Sequence, residues 1–167
     1  MTVLPIRIYG DSVLRKRAKE ITLVDEKTRK LASEMLGTLK NARGIGLSAN
    51  QVGEELRIFV VDRSHFQADD SPLIIVNPEI VDSRNDQIEE EGCLSVPGIY
   101  ADVKRPLELT VRGIDLNEKE IIVEAKGFLS RVLAHEIDHL NGILFIDHLS
   151  SIKRKLLSKK LKKLSAK

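Results

Sequence analysis

Residues 128–140 constrain this 167-residue chain more than any other stretch, because they ask a buried helix to carry four polar side chains within five positions. Phe128, Leu129, Val132, Leu133, Ile137 and Leu140 recur at spacings of three and four, Gly127 breaks the chain before them, and Asn141-Gly142 is a helix stop. Apolar residues cover most of the circumference, and such a helix is normally buried. Against that stand His135, Glu136, Asp138 and His139, whose burial is costly unless each finds a partner. His135 and His139 are four apart and project from one face, so one divalent metal can satisfy both imidazoles with Glu136 beside them. The alternative is a pair of hydrogen-bonded core histidines next to a surface glutamate. A catalytic metal site needs a third ligand.

Length allows a full core without disulfides, so residues 1–167 are expected to form a single domain. Hydrophobic residues at 42% and charged residues at 31% argue against disorder. No apolar run approaches the roughly 20 residues that span a bilayer, so no membrane role is expected. Cys93 stands alone and has no disulfide partner, and Met1–Ile6 carries no charged leader followed by a long apolar core. Both favour a cytoplasmic location. Net charge is +2, yet the residues after His148 hold eight bases and no acid, which leaves −6 on the remainder. The body is acidic and the tail basic.

Taken in order, Ile6–Gly10 reads as a short extended piece ending in a turn. From Asp25, a capping residue, Thr28, Leu31, Ala32, Met35, Leu36 and Leu39 mark a scaffold helix. Gly44–Gly53 is a loop of small residues that lets a substrate backbone approach closely, or else a flexible surface connection; it lacks the pattern of a phosphate loop. Leu56–Val61, Leu73–Val81, Leu107–Val111 and Glu120–Val123 read as strands, with a polar loop at Asp62–Ser71 whose His65 is expected to be solvated. Glu89–Gly98 contains Cys93 between a glycine and a short apolar edge. The expected fold is α+β, with antiparallel strands packed around the buried metal helix. A basic C-terminal helix over about 150–164 places Leu149, Ile152, Leu156, Leu161 and Leu164 on its inner face, with lysines opposite. Those lysines form a solvated face or attract RNA phosphates.

Cys93 is the best third ligand, since a thiolate and two imidazoles leave one tetrahedral position open, as a catalytic site requires. A buried inert thiol remains the other reading. Three ordered stretches bear on the choice: Gly44-Ile45-Gly46-Leu47-Ser48-Ala49-Asn50-Gln51, Glu91-Gly92-Cys93-Leu94-Ser95 and His135-Glu136-Ile137-Asp138-His139-Leu140-Asn141-Gly142. Together with Val96-Pro97-Gly98 and Arg105-Pro106, they resemble the motifs of the peptide deformylase family. The resemblance implies removal of the formyl group from N-formylmethionine on newly made polypeptides, with release of formate. It implies one divalent metal, Fe(II) in the first instance, with Zn, Ni or Co able to take its place, held by Cys93, His135 and His139. Glu136 matches the family's acid/base, and Gln51 and the Leu94 N–H match its oxyanion-binding groups. Gly44, Ile45, Gly46, Gly92 and Val132 match substrate contacts. The C-terminal helix resembles an element that docks on the ribosome near the exit tunnel.

Ser48, Ala134 and Tyr100 depart from residues common in the family; Tyr100 lies where some members carry an arginine near the substrate's carboxyl end. Glu91 and Asp138 are candidate partners for a ligating histidine or for Arg105, and sequence alone does not assign them. Two other functions fit parts of the pattern: an H-E-x-x-H metallopeptidase, and a ribosome- or RNA-binding module with a structural metal.

Overall fold

Alternation along Ile58–Val61 organises the molecule, because both faces of this strand are buried. Phe59 and Val61 point into one apolar cluster and Ile58 and Val60 into another, so the strand must be covered by helices on both sides. In the computed structural model, which describes residues 2–66 and 71–167, those covers are α1 (Glu26–Asn41) and α2 (Phe128–Leu140). Asp25 starts α1 by accepting hydrogen bonds from the Thr28 amide and hydroxyl, both at 2.9 Å.

The sheet has five antiparallel strands in sequence order: β1 (Gly46–Ser48), β2 (Ile58–Val61), β3 (Leu73–Cys93), β4 (Val96–Ile114) and β5 (Glu120–Lys126). The expected α+β architecture, with strands packed around the metal helix, is present. Val132, Leu133, Ala134, Ile137 and Leu140 of α2 pack on Phe59, Ile75, Leu109, Val111 and Ala125. Leu31, Ala32, Met35 and Leu39 of α1 pack on Leu47, Ile58, Val60 and Val76 from the other side.

Three readings of the sequence need correction. Gly44–Gly53 is not a surface loop: it forms β1 and then a 3-10 turn over Ala49–Val52, with Leu47 to Gln51 almost wholly buried. Small residues hid this because they show neither helical nor strand periodicity. The strands read as Leu73–Val81 and Leu107–Val111 are the inner parts of two much longer ones, and Glu89–Gly98 is the tip of their hairpin. Residues 82–90 pair with 102–110 while standing largely in solvent, so no apolar alternation marks them. The polar loop at Asp62–Ser71 lies partly outside the described residues; within the described part, His65 is exposed on a short 3-10 turn.

The third correction concerns α3 (Ser151–Ser165), whose apolar stripe is rotated from the expected one. Leu157, Leu161 and Leu164 face a cluster holding Val96, Ile99, Val103 and Phe145, whereas Ile152 and Leu156 are 73% and 79% exposed. The lysines are outward, as expected. Among the described residues no helix is long and apolar enough to cross a membrane.

The C-terminal end of α2 is fixed by groups remote in sequence. The Leu140 carbonyl accepts from the Ala18 amide at 2.8 Å and from Arg57 at 3.3 Å, and Asn50 Nδ2 donates to the His139 carbonyl. Gly142 then leaves the helix at φ +76°, where an added Cβ would sit 2.6 Å from the Arg15 carbonyl oxygen. Gly142→Ala is therefore expected to lower stability by at least about 1–2 kcal/mol. Thermal unfolding followed by circular dichroism checks this; an unchanged midpoint would refute the backbone argument.

Candidate active site

Cys93 is the last residue of β3, and Leu94-Ser95 forms the two-residue turn that closes the hairpin, with Cys93 paired to Val96. This tip brings the sulfur to the side of α2 that carries the two histidines. Cys93 Sγ lies 3.2 Å from His139 Nε2, and His139 Nε2 lies 3.0 Å from His135 Nε2. The three donor atoms fall within 4.8 Å of one another. Among the described residues, no other histidine, cysteine or carboxylate joins them.

The donor set fits a divalent ion. Two nitrogens and a sulfur bound tetrahedrally at about 2.1 and 2.3 Å would stand about 3.4–3.6 Å apart, so a slight outward shift accommodates the ion. Three nucleophilic atoms converging without intervening hydrogens also repel one another unless a cation or proton sits among them. In the metal-free protein, burial alone would lower the His135 imidazole, but its hydrogen bonds with Cys93 and Glu91 raise it well above its ordinary value. His139, buried and beside His135, is pushed well below its ordinary value.

Glu91 orients His135. Its Oε2 accepts from His135 Nδ1 at 2.7 Å, which leaves Nε2 as the donor facing the cluster. The same carboxylate accepts from Arg105 at 3.1 and 2.7 Å and from Arg131 at 2.9 Å. Burial works against the ionised form, but His135 and Arg105 outweigh it and hold Glu91 well below the usual carboxylate range. Asp138 also binds Arg105, and accepts from His148 Nε2 at 2.7 Å. Glu91 is thus the partner of His135, and both acids are partners of Arg105.

Glu136 is on the cleft side of α2, and its Oε2 is buried without a hydrogen-bond partner among the described residues. Burial pushes its carboxyl up to about 7 in the absence of a metal; a cation beside it would favour the carboxylate. Gly46 explains itself here, since a Cβ on it would lie 2.6 Å from Glu136 Oε1. Gln51 accepts from the Ser48 amide and hydroxyl, both at 3.0 Å. Its Nε2 then donates to Ser95 Oγ at 3.2 Å and towards Cys93 Sγ at 3.6 Å. The Ser95 amide also reaches the sulfur, at 3.4 Å.

A cleft of about 550 Å³ opens over these groups. Gly44, Ile45, Gly46, Gln51, Gly92, Cys93, Leu94, Val132, His135 and Glu136 line it, while His139 lies deeper. All the expected site residues therefore meet at one place. Tyr100, 64% exposed, stands at the cleft with its ring against Gly92, where a Cβ would be only 2.6 Å from the ring. Sequence reasoning missed Arg131, Ser95 and His148. Arg131 was readable as one turn before His135 on the same face; Ser95 lay inside the stretch around Cys93 without an assigned role, and nothing in the sequence ties His148 to the site.

Comparison with known proteins agrees with this geometry. The model of the polypeptide deformylase family matches residues 3–155. The peptide deformylase of Thermodesulfovibrio yellowstonii is 48% identical over 162 residues, covering 97% of this chain and 98% of the relative. The crystal structure of a peptide deformylase from Legionella pneumophila superimposes with a TM-score of 0.90 at 42% identity, covering 97% of this chain and 95% of the other. The peptide deformylase of Ehrlichia chaffeensis in complex with actinonin gives 0.89 at 40% identity, with 98% of each chain covered.

Replacing Glu91 tests the balance around His135. Glu91→Gln leaves Arg105 and Arg131 buried against a neutral amide, with an expected cost of about 3–5 kcal/mol in stability. Metal affinity should fall roughly 10- to 100-fold. Because the folded-state pKa is depressed, the stabilisation from Glu91 is complete above the unfolded value, near 4.3, and is lost as pH falls through the folded value. Urea unfolding from pH 7 to pH 3 should therefore show a smaller acid-side loss in the variant; an equal loss would count against the assignment.

Proposed function

Because this chain belongs to the polypeptide deformylase family, we propose that it removes the formyl group from N-formylmethionine on new polypeptides through Glu136, Gln51 and Leu94, arranged beside a divalent metal held by Cys93, His135 and His139. The observation that carries this reading is the meeting of one thiol and two imidazoles from β3 and α2, with a buried carboxylate at their side and an open cleft above. When bound, such an ion polarises a carbonyl oxygen and lowers the pKa of water.

The protein's own groups supply the rest. β1 ends the sheet, so among the described residues its outer edge pairs with no other strand, and Gly44, Ile45 and Gly46 line the cleft. A peptide can lie along that edge as an added strand, with Val132 and Gly92 among the residues around it. Glu136 takes a proton from the attacking water and returns it to the departing amine, since an unprotonated amine leaves poorly. Gln51 Nε2 and the Leu94 N–H stabilise negative charge developing on the formyl oxygen.

Glu136→Gln should retain metal yet lose at least about 10²- to 10⁴-fold in turnover of a formyl-Met peptide. Gln51→Ala should lose about 10²- to 10³-fold. Formate release and metal content measured on the same samples decide both, and near-normal turnover in Glu136→Gln would remove the mechanism. An endopeptidase would cleave unformylated peptides; the reading requires that it does not.

Fe(II) is the proposed physiological metal, with Zn, Ni or Co able to occupy the same ligands, because one thiolate and two imidazoles suit each of them. Anaerobic purification with metal analysis identifies it. Residues 1–167 are read as one catalytic domain in the cytoplasm, supported by the packing of α3 on the hairpin through Leu161 and Leu164. The outward lysines of α3 support docking on the ribosome near the exit tunnel. Reversing Lys159, Lys160 and Lys163 to Glu should weaken ribosome binding and leave small-peptide hydrolysis within about twofold of wild type, because these side chains are exposed. Salt-insensitive ribosome binding would overturn the electrostatic part.

A further inference from the structure

We propose that His148 is a positioning residue for His135, acting through the half-buried Asp138 and the buried Arg105 and Glu91; the inference rests on the ligand set proposed above. His148 Nε2 lies 2.7 Å from Asp138 Oδ2, and a carboxylate only accepts, so the ring N–H donates. Asp138 accepts in turn from Arg105 Nη1. Arg105 turns its other two nitrogens, Nε and Nη2, to the two oxygens of Glu91, and Glu91 Oε2 also accepts from His135 Nδ1. The Arg105 and Glu91 side chains are 3% and 6% exposed, whereas that of His148 is 36% exposed. The chain has one end in solvent and the other on a ring that faces the metal cluster.

Each link constrains the next. The orientation of a ligating imidazole is set by the hydrogen bond at its other nitrogen, here the one to Glu91. Arg131 also holds Glu91, but it stands on α2 and moves with His135. Arg105, on β4, is the grip from outside that helix, and Asp138 fixes its angle. His148 closes the open side of Asp138. A second contact points the same way, because Phe145 of the same 3-10 turn stacks on the His135 ring with centroids 6.3 Å apart. The turn therefore reaches His135 twice, once by a ring face and once through charges.

His148 also sits two residues before Ser150, whose hydroxyl caps α3 by accepting from the Lys153 amide. A force that reseats α3 acts first on this turn, so the relay links the basic helix to the metal centre.

Metal release to a chelator, followed alongside kcat and KM for a formyl-Met peptide, tests the proposal. His148→Ala should release metal roughly 3- to 10-fold faster, less than loss of a direct partner would cause, and lower kcat with KM unchanged. His148→Gln keeps a donor for Asp138 and should return both values towards wild type. Asp147→Asn loosens the same turn by removing its 2.6 Å pair with Arg15, and should leave the release rate unaltered. Wild-type release in His148→Ala overturns the relay, as does equal acceleration in His148→Gln or Asp147→Asn, which would mark a merely structural turn. His135→Ala separates the two levels: retained tight metal binding removes the ligand set, whereas lost binding with normal release in His148→Ala removes the relay alone.

Discussion

A single buried carboxylate, Glu91, carries more of this architecture than its one residue suggests. It is the point at which a sheet strand, its neighbouring strand through Arg105 and the central helix through Arg131 and His135 meet in one set of hydrogen bonds. Two guanidiniums and an imidazole with almost no access to water could not be tolerated without it. The geometry of the reacting groups follows. Once Glu91 fixes the ring of His135, the position of His139 one turn later is dictated by the helix, and only the thiol has to come from elsewhere.

The thiol comes from a hairpin, and this division explains what could be read from the sequence. The central helix was legible to the residue, because apolar spacing, a preceding glycine and Asn141-Gly142 all mark the same limits. The first helix was legible from Asp25 and its stripe. β3 was legible only where one face is buried; its exposed outer part, residues 82–90, is held by main-chain pairing that leaves no trace in side-chain pattern, whereas the outer part of β4 buries Val96, Ile99 and Val103 at spacings of three and four that break the strand alternation. β1 was missed for a related reason: its residues are selected for close approach, as Gly46 is for Glu136, and not for strand propensity.

The site divides along the same line. His135, Glu136 and His139 lie within one helical turn and announce themselves. Whether Cys93 joins them was undecided from residue chemistry alone, since 46 residues separate it from His139 and the decision belongs to a two-residue turn. Arg105 and Asp138 were visible as charges without assigned partners, because pairing across β3, β4 and α2 depends on register. The rotation of α3 was out of reach for a similar reason. Two apolar stripes coexist on that helix, one through Leu157, Leu161 and Leu164 and one through Ile152 and Leu156, and only the surface beneath decides which is covered.

The shortness of β1 has its own implication. Of its three residues only Gly46 lines the cleft, following Gly44 and Ile45, so on the proposed reading this edge offers an incoming chain peptide groups and hardly any side chains. Recognition built on such a rail is indifferent to the message being translated: whatever follows the first amino acid, the polymer's repeating amide is the same. Selectivity is thereby concentrated at the reacting end, and the catalyst can serve an entire proteome with one short strip of main chain.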